Sequence, residues 1–126
     1  MVVNTEFEKF CTEVLKLDRN IRYVGIYYKS RLYIKMRDGI SNLLTPQETE
    51  KSLRDTYSRW EMRQSLAPKL GRPIYAMAQY ENIKRITIPF EKRGIVLVSM
   101  EPQAFHEVIT KEVLEVADRY FSELEK

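Results

Sequence analysis

The sequence predicts an α/β sandwich built on a five-stranded antiparallel sheet, and three observations carry that expectation. Segments with helical and strand periodicity follow one another in the order α-β-β-α-β-β-β-α. Neighbouring strand segments are joined by hairpin-type turns. Apolar residues occupy both alternate sets of the strand segments, Val24, Ile26 and Leu97 in one and Ile86, Ile88 and Val98 in others. A sheet buried on both faces requires helices on both.

Each element follows from its residues. Thr5 with Glu8 reads as a capping box, and Phe7, Phe10, Cys11, Val14 and Leu15 then recur at helical spacing along one face, which ends near Leu17. Residues 22 to 37 are rich in Tyr, Val, Ile and Leu around a polar Lys29-Ser30-Arg31 turn, and Asp38-Gly39 closes the hairpin. Thr45-Pro46-Gln47-Glu48 joins an N-cap, a proline at the first helical position and a capping-box glutamate. The second helix that it opens is highly charged, with a thin apolar stripe of Leu53, Tyr57 and Trp60. Pro68 and Gly71 end the helical region, and Pro73 suits the first residue of a strand. The third and fourth strands turn at Glu81-Asn82, and the fourth and fifth through Glu91-Lys92-Arg93-Gly94. Pro89 predicts an edge or a bulge near the end of the fourth strand. A last helix, opened by Pro102, places Phe105, Ile109, Val113, Val116, Ala117, Tyr120, Phe121 and Leu124 on a wide apolar face.

Composition narrows the function classes. A chain of 126 residues with 44% hydrophobic and 31% charged residues suits one ordinary globular unit rather than a disordered or fibrous one. No apolar run approaches the ~20 residues that span a bilayer. The N-terminus turns charged too soon for a secretory signal, so a cytoplasmic location is expected. One cysteine, Cys11, and one histidine, His106, leave too few ligands for the common zinc sites. Cys11 sits among apolar residues at helical spacing and reads as a small core residue. No Gly-rich phosphate loop, GxSxG, HExxH or CxxC occurs. Neither catalytic residues, nor a metal, nor a cofactor is therefore expected.

The segment order, the glycine-bearing first strand RYVGIYY, the hairpin and the closing pair IKRITIPFEKRGIVLVSM resemble the roadblock/LC7 superfamily and its longin and profilin-like relatives, and in particular small archaeal proteins of that type. The resemblance covers nearly the whole chain and implies a single domain over residues 1–126. It also implies that the terminal helices share one face of the sheet while the middle helix covers the other. In function it implies a non-catalytic regulatory or scaffolding module. This would be a homodimer, formed where the middle helix and third strand of each protomer meet, that serves as a platform for a protein partner such as a small GTPase. Candidate interface residues are then Tyr57 and Trp60 on the second helix and Ile74 and Tyr75 at the third strand; for Trp60, burial within the protomer is the competing reading. A small-molecule sensor of PAS or profilin type, with a pocket between the sheet and a terminal helix, is the alternative.

Charge is segregated along the chain. The two terminal helical segments, residues 4–18 and 101–126, together carry −6 and the stretch between them +9, which the overall +3 conceals. Arg54, Arg59, Arg63, Lys69 and Arg72 are candidates for a basic surface facing an acidic partner. The competing reading is a solvated helix face whose arginines pair with Glu50, Asp55 and Glu61. With so much local acid, nucleic-acid binding is not favoured. Tyr23, Tyr27, Tyr28 and Tyr33, interleaved with bases in the hairpin, read either as a base-stacking platform or as strand tyrosines packed under a helix.

Overall fold

The computed structural model describes the backbone of residues 2–90 and 94–124, and side chains of residues 5–90 and 94–120. The chain runs α1 (Val2–Leu15), β1 (Ile21–Tyr28), β2 (Arg31–Met36), α2 (Pro46–Gln64), α3 (Ala67–Leu70), β3 (Ala76–Gln79), β4 (Lys84–Phe90), β5 (Gly94–Met100) and α4 (His106–Leu124). The strands form one antiparallel sheet in the order β2-β1-β5-β4-β3. Every residue of β5 is buried, and this strand lies at the centre.

Alternation sorts the side chains onto two faces. Val24, Ile26, Ile86, Ile88, Phe90, Val96, Val98 and Met100 meet Phe7, Phe10, Cys11 and Val14 of α1 and Ile109, Val113 and Val116 of α4 in the larger core. Each such side chain, fully withdrawn from water, contributes about 1.5–3 kcal/mol of transfer free energy. On the opposite face Leu53 of α2 packs with Tyr23 and Leu97, flanked by Leu32, Ile34 and Met36. The terminal helices thus share one face and the middle helix covers the other, so the structure is an α+β sandwich.

Local chemistry explains where α2 starts. Thr45 is extended; its side chain accepts the Glu48 N–H at 3.1 Å, while the Glu48 carboxylate accepts the Thr45 N–H at 2.9 Å. Two otherwise unpaired donors are thereby satisfied at the helix start. Close approach to the sheet depends on Gly25, where a Cβ would lie 3.3 Å from the Leu53 side chain.

Several boundaries differ from the sequence expectation. α1 begins at Val2, ahead of the Thr5 capping box, so Thr5 and Glu8 lie inside the helix. A separate turn of helix, α3, follows α2 and ends at Gly71 with φ 87°, a left-handed conformation that glycine adopts without steric cost. β3 starts at Ala76 rather than Pro73 and is only four residues long. β4 is not an edge strand, yet Pro89 lies past the last β3 pair, Ala76 with Thr87, where β4 has one neighbour only. A missing N–H there can face the open side. α4 starts at His106, and Phe105, just outside its first turn, is 78% exposed instead of joining the apolar face. Glu91, Lys92 and Arg93 of the last hairpin, and the side chains of Phe121 and Leu124, lie outside the described residues.

Candidate functional site

The stripe Leu53, Thr56, Tyr57 and Trp60 turns α2 toward the sheet. Trp60 has 0% exposure, and its indole Nε1–H has no hydrogen-bond partner among the described residues. Tyr57 is half-buried, its ring 5.0 Å from that of Tyr27. The candidate interface role of Trp60 is therefore corrected, because the side chain offers the surface of the protomer nothing. Helical spacing placed Leu53, Tyr57 and Trp60 together, but the same spacing that would build an anchor stripe built a packing stripe.

Ile74 and Tyr75 are exposed, and they lie in a larger apolar surface. Met62, Leu66 and Leu70, four residues apart across the end of α2 and α3, are exposed together with Met77 and Tyr80 on and beyond β3, and Leu70 reaches 79%. The 62, 66, 70 spacing was the available signal for these residues. β3 presents its outer backbone edge with the neutral sequence AMAQ, whereas the opposite edge strand, β2, carries Arg31 and Lys35. Charged residues on an edge discourage pairing with another chain; β3 has none.

The basic candidates divide. Arg54 is ion-paired with Glu50. Asp55 pairs with Lys51 at 2.6 Å, and that hydrogen bond holds its carboxyl below the usual range, with Arg59 a weaker influence. Lys69 and Arg72 are exposed on and after α3. Arg59 donates to the Thr56 hydroxyl at 3.1 Å and has no carboxylate partner among the described residues; Arg63 likewise has none. Both line a groove of about 50 Å³ between α2 and the β3–β4 hairpin, and so does Arg85 of β4. Arg85 is only 8% exposed, and its guanidinium donates to the Ser52 hydroxyl at 2.5 Å. It escaped the sequence reading because its alternate set on β4 carries Thr87 and Pro89, which looks like a solvent face.

The hairpin tyrosines are packing residues. Tyr23 is buried in the smaller core, where desolvation pushes its hydroxyl above the ordinary range. Tyr28 and Tyr33 meet Phe7 edge-on at 6.0 and 6.4 Å. His106 Nδ1 lies 3.3 Å from Lys84 Nζ, and among the described residues no three His, Cys, Asp or Glu gather as metal ligands. No helix of the described residues is long and apolar enough to cross a membrane.

Cys11 illustrates how burial suppresses chemistry. Desolvation pushes its thiol up to about 12 from 9.0. The folded state keeps the proton that the unfolded state sheds, so the contribution of Cys11 to stability is complete below pH 9.0 and is lost as pH rises toward about 12. The slope is at most about 1.4 kcal/mol per pH unit. Cys11→Ala is expected to flatten the alkaline decline of unfolding free energy, measured by urea titration, above pH 9.0. Parallel pH profiles of the two proteins would refute this.

Three solved structures place this geometry. The chain is similar to a Roadblock/LC7 domain from Streptomyces avermitilis, with a TM-score of 0.73 and 7% identity, over 94% of this chain and 97% of the other. It is also similar to Myxococcus xanthus MglB, with a TM-score of 0.72 and 14% identity over 93% of each chain. An MglB structure with a tetrameric arrangement aligns with a TM-score of 0.68 and 19% identity, covering 91% of this chain and 87% of that one. No protein-family model matches the sequence, and no curated protein matches it. At these identities the likeness is one of architecture, extends over nearly the full length of both partners, and shows that the chain has a roadblock/LC7-like fold.

Proposed function

We propose that this chain is a non-catalytic regulatory module that acts as a single-domain unit in the cytoplasm, self-associates through the end of α2 and the β3 edge, and presents the assembled surface to a protein partner of small-GTPase type. One observation carries the reading: seven exposed apolar side chains, from Met62 to Tyr80, border an unguarded sheet edge. Exposed apolar surface of this kind marks interaction sites, and a bare edge strand is a template for pairing. An isologous contact there would extend the sheet across two protomers. The roadblock/LC7-like fold and the tetrameric arrangement of one similar MglB structure support self-association.

The sensor reading has less support. The space between the terminal helices and the sheet is filled by core side chains such as Phe10, Val14, Ile109 and Val113. The larger surface groove, about 480 Å³, opens outward between α1 and α4 and is lined by polar residues including Glu8, Lys9, Glu13 and Lys16.

Light scattering at micromolar concentration tests the proposal. The expected mass is twice the 15.0 kDa of one chain. Ile74→Lys combined with Met77→Lys places guards on the edge and is expected to weaken the dimer at least about tenfold. Trp60→Ala does not serve this purpose, because that side chain is wholly buried within the protomer. A strictly monomeric wild-type protein would overturn the reading.

A further inference from the structure

We propose that the groove between α2 and the β3–β4 hairpin is an oxyanion site that takes a single phosphoryl group through Arg59, Arg63 and Arg85. The first reason is Arg85. As a residue Arg85 is only 8% exposed, and a guanidinium held against the groove wall is costly to keep there unless a counter-charge meets it. Among the described residues its only hydrogen-bond partner is the neutral hydroxyl of Ser52, and no carboxylate pairs with it. Tyr23 feels Arg85, but burial outweighs that influence and pushes its hydroxyl above the ordinary range.

The second reason is the company that Arg85 keeps. Arg59 and Arg63 line the same groove without carboxylate partners, and the lining includes the Thr87 hydroxyl but no acidic side chain. Asp55, an acidic group that feels Arg59, is engaged by Lys51 at 2.6 Å. Guanidinium groups offer planar pairs of donors that fit phosphoryl oxygens, and three positive charges suit a dianion better than a carboxylate. One groove lined by three arginines also differs from the spread of bases that tracks a nucleic-acid backbone.

The test is a titration of the full chain with inorganic phosphate at constant ionic strength, followed through backbone amide and arginine Nε resonances, with light scattering on the same samples. Saturable shifts confined to residues around the groove are expected. Arg63→Gln, at an exposed position with no ion pair to lose, is expected to raise the apparent Kd at least about tenfold, as is Arg85→Lys, which keeps charge but not the fork. Where Arg85→Lys fails to fold, Arg63→Gln carries the test. Non-saturating shifts, an unchanged Kd in Arg63→Gln, an equal response to acetate, or binding of an oligonucleotide without binding of phosphate would each overturn the assignment. The mass read on the same samples separates the two proposals, since phosphate can bind a monomer and a dimer can form without phosphate.

Discussion

Trp60→Ala is expected to cost about 3–5 kcal/mol of unfolding free energy, the range for emptying a fully buried aromatic site. Trp60 is completely withdrawn from solvent beneath α2. That face of the sheet has the smaller of the two cores, with Tyr23, Leu53 and Leu97 as its buried apolar cluster among the described residues. Few other contacts hold α2 down, so the cavity left by alanine sits where the layer is thinnest, and collapse into it would shift the helix. For a domain of this length the loss corresponds to a fall in melting temperature of roughly 10–20 °C. Trp60→Phe separates the contributions. It retains most of the apolar volume and removes an indole N–H that has no partner among the described residues, an omission that costs about 1–3 kcal/mol in a native core. Its penalty is therefore expected to be less than half that of alanine. Trp60 is the only tryptophan in the chain, so its emission reports directly on this site. Emission of the folded protein characteristic of water-exposed indole, or an alanine variant within about 1 kcal/mol of wild type, would show that the side chain does not pack as described.

The contrast between Trp60 and Thr45 shows what a sequence discloses. The capping box of Thr45 and Glu48 was legible because it is a local exchange of two hydrogen bonds three residues apart, which no tertiary context has to complete. The two-sided sheet was legible only in outline: Val24, Ile26, Ile86, Ile88 and Val98, read as belonging to different sets, all face α1 and α4, and of the six residues only Leu97 faces α2, because strand register decides which alternate sets share a face. Trp60 and Arg85 were not legible, and each failed for want of the other's layer. Whether the stripe of α2 faces inward depends on the sheet beneath it. Whether Arg85 is buried depends on the helix above it, since Arg85 and Thr87 alternate with apolar residues just as a solvent-facing set would. The apolar residues 62, 66 and 70 were spaced to be seen, but they straddle the break between α2 and α3, so no single helical period contained them. The basic surface was half legible. Arg59 and Arg63 were found by charge alone, while Arg85, the residue that turns a charged helix face into a groove, lies on a strand distant in sequence.

Arg37→Ala is expected to lower stability by about 2–3 kcal/mol, an effect that no sequence pattern signals because it acts between segments. Arg37 lies just past the end of β2, and its side chain reaches back to the connection between α1 and β1. Nε donates to the Ile21 carbonyl at 2.7 Å, and Nη2 donates to the Asp18 carbonyl at 2.8 Å and to the Leu15 carbonyl. Leu15 ends α1, so a cation there also meets the negative end of the helix dipole. Charge-assisted hydrogen bonds are worth about 1.5–3 kcal/mol each where water is excluded, but this side chain is only partly buried, and water can replace some of what alanine removes. The sum is therefore well below three full bonds. Arg37→Lys is expected to recover less than half of the loss, since an ammonium cannot present two fixed donor directions to three carbonyls. Because the bonds fasten the α1–β1 connection and leave the core untouched, the variant should retain native spectra while amides from Lys16 to Ile21 exchange faster than those of β5. Uniform acceleration across the sheet, or full rescue by lysine, would mean that Arg37 acts through general packing or charge rather than as a clamp on that connection.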